Sequence, residues 1–379
     1  LLRTLDFDFF EMLDSVTIAR SRKHIEKYYD TSEIGKFPER KKPVSLRPKL
    51  TDLDTAISYN QIYEQLMQLS LCIYTPSNYI FPSRIQKYLD LTHNKGENLT
   101  QTGREEGIRR LMSINLLKRL ESSVNSFQLT LQRIKALIDS TIEAIDLFEK
   151  FGEAEIDMYE ASDSEWDMDD GNTEYFTVGK KVKIELADMD YRTWRTGLMA
   201  DAETLEMLTL MIADITPEHD NKLQALLDLI SQKIEHPINE GNKKVLIFSA
   251  FSDTAEYLYE YVSVYVKEKY GLDTAVITGS IDGKTTVSVF RATLNNVLTC
   301  FSPVSKGREV LMPGSKTEID VLIATDCISE GQNLQDCDYL INYDIHWNPV
   351  RLIQRFGRVD RIGSRNEYIQ LVNFWPDMD

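Results

Sequence analysis

The chain has 379 residues, of which 42% are hydrophobic and 27% are charged. That length suffices for two or three packed units with their own cores, and no apolar run is long enough to span a bilayer. The formal net charge of -17 excludes a uniformly basic surface, so any contact with nucleic acid must come from local basic segments.

The cysteines and histidines show no metal-binding pattern. Cys72, Cys300, Cys327 and Cys337 form no CxxC pair, and the five histidines are far apart in the chain. No secretion signal is visible. We therefore predict reduced cysteines in the core, a cytoplasmic location and no bound structural metal.

Basic residues are concentrated near the beginning of the chain. Between Arg20 and Lys49 there are ten lysines and arginines against four acidic residues. Residues 1–50 are therefore predicted to contain a basic linker, which differs sharply from the acidic average of the whole chain.

Residues 51–240 are predicted to be mainly α-helical. Apolar residues recur at helical spacing in 51–71 and in 105–151, and two further helices are predicted at 189–213 and 221–234. Lys118, Arg119 and Glu121 lie opposite a leucine face and are expected to be solvated. No catalytic motif occurs in this region, so its predicted role is mechanical.

An acidic block interrupts the helical region. Residues 152–175 contain ten acidic residues and no basic one. Such a segment, with little apolar periodicity, is typical of a solvated loop. A nucleic-acid mimic that covers a binding site is the alternative interpretation.

Residues 241–379 are predicted to form an α/β unit. The segment 244–251 is typical of a strand and loop, and a helix follows at 254–270, with Asp253 as its N-cap and Gly271 at its end. A second strand follows Gly271, and further apolar runs begin at Asp320, Tyr339 and Tyr368. Five strand candidates separated by helices or long connections predict a doubly wound parallel sheet.

One segment of this unit is similar to a phosphate-binding loop. Residues 279–285 read GSIDGKT, with three residues between the first glycine and the GK pair. A true phosphate loop has four, so that successive backbone N–H groups encircle the phosphate. We therefore predict a surface loop here and a solvated Lys284.

Two strings of residues near the end of the chain give the clearest indication of a ligand. ATDCISEGQNLQ begins at Ala324, after the third strand candidate, and QRFGRVDRIGS begins at Gln354. The second string predicts a helix with Arg355, Arg358 and Arg361 on one face, and only Asp360 is a nearby carboxylate. Unpaired guanidinium groups suit clustered phosphates, because they bind bidentately and stay charged. ATP is the predicted ligand.

These strings have the order and spacing of helicase motifs V and VI. The region 244–375 resembles the second RecA-like lobe of superfamily 2 helicases, and most closely the Swi/Snf and bacterial RapA-like translocases, through SEGQNLQ and GRVDRIG. The resemblance implies that Arg358 and Arg361 are arginine fingers that reach ATP. It implies that Gln354, Glu330 and Gly331 lie near the ATP. The residues implied to contact nucleic acid are Thr325, Ser329 and Trp347.

The resemblance also implies a second, upstream lobe. No GxxxxGK[ST] string and no DExH or DExD box occurs in the 379 residues. The implied first lobe would hold most of the ATP site and the Mg²⁺, residues 1–50 would include its tail, and this chain alone would be inactive. Swi/Snf-like members translocate on duplexes, which favours DNA over RNA as the partner. A non-catalytic scaffold built on a RecA-like lobe is the alternative.

Overall fold

The computed structural model describes residues 22, 35–53, 58–92, 101–152, 155–157, 183–279, 283–328, 331–346 and 348–377. Most of the basic stretch 20–34 and of the acidic block lies outside the described residues. Ser329, Glu330 and Trp347 lie outside them as well.

The helices and strands of the described residues are numbered in chain order. The helices are α1 (Tyr59–Leu66), α2 (Ile85–Thr92), α3 (Gln101–Ser122), α4 (Val124–Phe151), α5 (Tyr191–Ile212), α6 (Asn221–Glu235), α7 (Ser252–Tyr270), α8 (Leu294–Phe301), α9 (Arg308–Leu311) and α10 (Pro349–Phe356). The strands are β1 (Glu39–Arg40), β2 (Val44–Leu46), β3 (Glu155–Asp157), β4 (Lys183–Glu185), β5 (Val245–Phe248), β6 (Thr274–Ile277), β7 (Lys284–Thr285), β8 (Val321–Ala324), β9 (Tyr339–Asn342) and β10 (Tyr368–Phe374).

Helices α1 to α5 share one apolar core, and we call them the helical region. Phe127, Leu131 and Ile138 on α4 and Trp194 and Leu205 on α5 are almost fully buried in it. The predicted helix over 105–151 is divided at Ser123, whose hydroxyl accepts from the Ser126 amide and caps α4. The helix predicted over 51–71 is observed only from Tyr59 to Leu66.

The second unit, the α/β lobe, is built on a sheet with the strand order β1-β10-β9-β5-β8-β6-β7. Neighbouring strands are parallel, except that β7 is antiparallel to β6, and β2 also pairs with β10. All five strand candidates are present, with helices on both faces. The prediction of a RecA-like doubly wound parallel sheet after a mainly helical region is confirmed.

Alternating residues of the central strands separate the two faces of the sheet. Val245 and Ile247 pack with α6 and α7, whereas Leu246 and Phe248 pack with α8. Helix α7 ends at Gly271, as predicted, in a left-handed conformation with a φ of +67°.

The junction between the helical region and the lobe is polar and buried. Arg119 of α3 is 1% exposed, and its Nη1 donates to Asp253 Oδ2 at 2.6 Å while its guanidinium lies over the ring of Phe251. The prediction of a solvated Arg119 is therefore wrong. The predicted N-cap is also wrong, because Phe251 occupies that position and the Asp253 carboxylate pairs with Arg119 and Arg133.

Lys222 of α6 contacts the same junction. Its Nζ donates to the carbonyl oxygens of Glu121 and Ser122, at 2.6 and 2.8 Å, and lies over the ring of Tyr343. These carbonyls belong to the last turn of α3, where intrahelical donors are missing. Burial lowers the pKa of the Lys222 ammonium from its ordinary 10.5 to about 8, although the Asp344 carboxylate partly opposes this shift.

Replacing Lys222 is expected to remove a rise in stability with pH. Between pH 8 and about 10, the unfolded chain keeps a Lys222 proton that the folded chain has released, so the free energy of unfolding increases with pH. Relative to Lys222→Met, the free energy of unfolding of the wild type should increase by up to about 1.4 kcal/mol per pH unit. Urea unfolding at pH 8 and 9.5 measures this difference.

Lys135→Met is the matched control, because Lys135 lies on α4 in a more exposed ion pair with Asp139. Its stability should follow that of the wild type between the two pH values. If Lys222→Met also follows the wild type, the Lys222 pKa is not lowered as the structure indicates.

Candidate nucleotide-binding edge of the α/β lobe

The two motif strings meet at the carboxyl edge of the sheet. Strand β8 ends at Ala324 and continues into a short turn over Asp326–Ile328, and β9 ends at Asn342 before the loop that leads to α10. Both strands are parallel to β5, which lies between them, so the two loops emerge on the same side. This edge is the usual place for ligands in open α/β sheets.

A buried ion pair joins the two strings. The guanidinium of Arg355, which is 0% exposed, donates from Nε and Nη2 to the two carboxylate oxygens of Asp326, each at 2.7 Å. Arg355 Nη1 also donates to Asn342 Oδ1 at 3.1 Å, and the group lies over the ring of Phe248. Arg355 is therefore not part of a ligand-facing arginine row, because Asp326 neutralises it in the interior.

Arg358 and Arg361 lie on a turn rather than on the predicted helix, since α10 ends at Phe356. Nη1 of Arg358 and Nη2 of Arg361 both donate to the backbone carbonyl oxygen of Gln332, each at 3.3 Å. Arg361 Nε donates to the Gly357 carbonyl at 3.1 Å. The geometry thus brings two permanent positive charges together at one neutral oxygen in the loop after β8.

Lys306 adds a third positive charge that the sequence analysis missed. Its Nζ donates to the side-chain oxygen of Gln332 at 2.5 Å. Burial and the nearby charge of Arg361 lower the pKa of the Lys306 ammonium. Lys306 lies between α8 and α9, 26 residues before Gln332, and no local pattern distinguishes it from a surface lysine.

Asp360 does not neutralise the two finger candidates on either side of it. Its carboxylate accepts from Arg22 Nη1 at 3.1 Å and from Arg40 Nε at 2.7 Å. The described ion pairs of this carboxylate therefore lead to the beginning of the chain, away from Arg358 and Arg361.

Three further predicted residues that the structure describes, Gly331, Gln354 and Thr325, lie on the elements that form this edge. Gly331 adopts a left-handed conformation with a φ of +71°, which favours glycine. Gln354 lies on α10, and its Oε1 is buried without a hydrogen-bond partner among the described residues. Thr325 is fully buried, and its amide donates to the Ile277 carbonyl at 3.2 Å. Tyr343 belongs to the core, where it packs against Phe374.

Lys284 of the segment similar to a phosphate loop lies two strands away from β8 in the sheet. It belongs to β7, the antiparallel strand at the far end of the sheet, and its Nζ pairs with Glu256 at 3.1 Å. Residues 280–282 lie outside the described part of the chain. Within the described ranges, no group of three or more His, Cys, Asp or Glu side chains could hold a metal ion.

Residues 221–363 match the model of the helicase conserved C-terminal domain. Together with the sheet order, this match shows that the α/β lobe has the fold of a RecA-like helicase C-terminal lobe. No helix of the described residues is long and apolar enough to cross a membrane.

Several helicases are similar to part of the chain. The uncharacterized ATP-dependent helicase YqhH of Bacillus subtilis is 29% identical over 168 residues, which are 44% of this chain and 23% of that protein. The putative ATP-dependent DNA helicase fml2 of Schizosaccharomyces pombe is 28% identical, covering 53% of this chain and 24% of that protein. The ATP-dependent RNA helicase RhlB of Shewanella frigidimarina is 25% identical, covering 48% of this chain and 35% of that protein. The chain thus spans a minor part of each relative.

Breaking the buried ion pair is expected to destabilise the lobe strongly. Arg355→Met leaves the Asp326 carboxylate buried without its partner, which should lower the free energy of unfolding by about 3–5 kcal/mol. Combining it with Asp326→Leu removes the second charge and should restore at least half of the loss. Urea unfolding measures both variants.

Lys135→Met again serves as the control, since it breaks a more exposed pair. It should lower the free energy of unfolding by at most about 1 kcal/mol. An Arg355→Met protein as stable as the wild type would contradict the assigned role of the pair. So would a double variant that is less stable than the single one.

Proposed function

We propose that this chain is the C-terminal part of an ATP-dependent nucleic-acid translocase or helicase, and that it contributes Arg358 and Arg361 to an ATP site completed by an upstream lobe. The observation that carries this proposal is the convergence of both guanidinium groups on the Gln332 carbonyl at the carboxyl edge of the sheet. Two arginines held close together suit a ligand with several negatively charged oxygens.

The proposed chemistry is stabilisation of a phosphoryl group during its transfer to water. Charge spreads over three equatorial oxygens in that transition state, and cations already in place stabilise it without reorganisation. Arg358 and Arg361 would exchange the Gln332 carbonyl for these oxygens when the two lobes close. ATP and Mg²⁺ are the proposed cofactors, with the metal held mainly by the other lobe.

The supporting residues take roles around this pair. Gln354, with its buried Oε1 one turn before Arg358, is proposed to orient the arginines, and Glu330 and Gly331 to lie near the nucleotide. Thr325, Ser329 and Trp347 are proposed to contact nucleic acid or to couple that contact to the ATP site. Since Thr325 is buried, its loop would have to move before the hydroxyl could reach a ligand.

The proposed nucleic-acid partner is duplex DNA. The SEGQNLQ and GRVDRIG strings support a Swi/Snf or RapA-like subfamily, whose members move along duplexes without necessarily separating the strands. Opening and closing of the two lobes would change the grip on the duplex once per ATP. The proposed division of the chain is 1–50 for the tail of the first lobe and linker, 51–240 for the helical insertion, and 241–379 for the second lobe. Strands β1 and β2 of the first part join the sheet of the second lobe.

Removing one finger is expected to abolish hydrolysis while leaving nucleotide binding nearly intact. In the full-length protein, Arg361→Ala should lower kcat by about 10³-fold or more, because the contact forms mainly in the transition state. The KM for ATP should change far less. Steady-state phosphate release with saturating nucleic acid measures both constants.

Arg365→Ala is the control, since Arg365 is an exposed arginine four residues further along the chain. Its kcat should equal that of the wild type. If the Arg361→Ala protein hydrolyses ATP normally, the arginine-finger assignment is wrong. If even the wild type hydrolyses no ATP with any nucleic acid, the scaffold interpretation replaces the motor.

Duplex DNA is expected to stimulate ATP hydrolysis more than single-stranded DNA or RNA does. Contacts with phosphates should also make the stimulation weaken steeply between 50 and 200 mM salt. Hydrolysis rates with equal nucleotide concentrations of the three substrates distinguish the possibilities. Stimulation by RNA alone would contradict the DNA assignment while leaving the ATP site in place.

A further inference from the structure

The segment before the helical region forms part of the lobe's sheet. Residues Glu39 and Arg40 pair in parallel with Tyr368 and Ile369 of β10, and β2 pairs further along the same strand. The sequence predicts the tail of a first lobe and a basic linker over residues 1–50. Within that stretch, the segment 35–46, which we call the edge segment, is fixed to the lobe by backbone hydrogen bonds.

The edge segment also contacts the turn that carries the finger candidates. Gly363 donates from its amide to the Lys36 carbonyl at 3.1 Å. Gly35 packs so closely on Gly363 that a Cβ atom at position 35 would lie 2.6 Å from the Gly363 Cα. The end of the turn 357–363 is therefore held directly against the backbone of the edge segment.

Asp360 makes the charged contact between these two parts. Its side chain is 5% exposed, and it accepts hydrogen bonds from Arg40 of the edge segment and from Arg22. Arg22 in turn donates to the Pro38 carbonyl, and its guanidinium lies over the ring of Phe37. Two arginines and one nearly buried carboxylate thus connect the edge segment to the turn at the residue between Arg358 and Arg361.

The turn is consequently held from two sides. On one side, Arg358 and Arg361 donate to the Gln332 carbonyl, which belongs to the loop after β8. On the other, Asp360 is bound to Arg22 and Arg40. If the carboxylate were released, the turn would lose its two ion pairs with Arg22 and Arg40 on that side. Displacements of about 1 Å in catalytic groups cost up to about a hundredfold in rate.

We propose that Asp360 is a positioning residue, which couples the edge segment to Arg358 and Arg361 and sets their reach toward the transferring phosphoryl group. The proposal rests on the proposed function of these two arginines. In this proposal Asp360 acts through the two arginines and not on the nucleotide directly. Because the edge segment precedes the helical region, it is the part of the lobe that leads back toward the proposed upstream lobe, and a shift there would move the fingers.

The test is a mutant cycle in the full-length protein, with ATP hydrolysis as the readout. Asp360→Ala should lower kcat by about tenfold, and Arg22→Gln combined with Arg40→Gln should have a similar effect, with the KM for ATP changing less than about twofold. The variant with all three substitutions should show a decrease in kcat no larger than that of Asp360→Ala or of the double arginine variant, since each set removes the same contact. Asp360→Glu keeps the charge and should retain at least half of kcat.

Asp139→Asn is the matched control, because Asp139 forms a more exposed ion pair on α4, and its kcat should equal that of the wild type. Unchanged kcat in Asp360→Ala, or additive losses in the cycle, would overturn the proposal. Arg361→Ala separates this failure from a failure of the proposed function. If it abolishes hydrolysis while Asp360→Ala does not, only the coupling is wrong.

Discussion

The buried ion pair between Asp326 and Arg355 is the interaction on which the arrangement of the site depends. Both side chains are almost completely excluded from water, so the pair is favourable only because its geometry is bidentate and further hydrogen bonds complete it. It fastens the loop after β8 to the start of the arginine-bearing turn. Gln332 lies in the middle of the connection from β8 to β9, where Arg358 and Arg361 donate to its carbonyl oxygen.

A continuous polar network extends from this pair into the helical region. Arg355 also donates to the Asp344 carbonyl, and the Asp344 carboxylate accepts from Ser249, from the Ala250 amide and from Ser122 at the end of α3. All of these groups are buried or partly buried, so each lost partner would leave an unsatisfied polar atom. The helical region is thus joined to the site by specific hydrogen bonds as well as by packing.

Much of the lobe could be predicted from the sequence, because β-branched runs and the glycine after α7 act locally. The partners of individual charged residues could not be predicted. Arg355 and its partner Asp326 are 29 residues apart, and Arg119 and Asp253 are 134 apart. Helical periodicity cannot indicate that Arg119 of α3 packs against another unit. The short strands of the edge segment pair with β10 more than 300 residues later, far beyond any local pattern.

The central claim, that Arg361 acts on the transferring phosphoryl group, is tested most directly by calorimetric binding of ADP with and without aluminium fluoride, a mimic of that group. Full-length wild-type protein should bind the ADP–fluoride complex much more tightly than ADP, since fingers favour the transition state over the ground state. Arg361→Ala should bind ADP normally and lose about a hundredfold or more of the additional affinity. Equal affinity of both proteins for the fluoride complex would contradict the account.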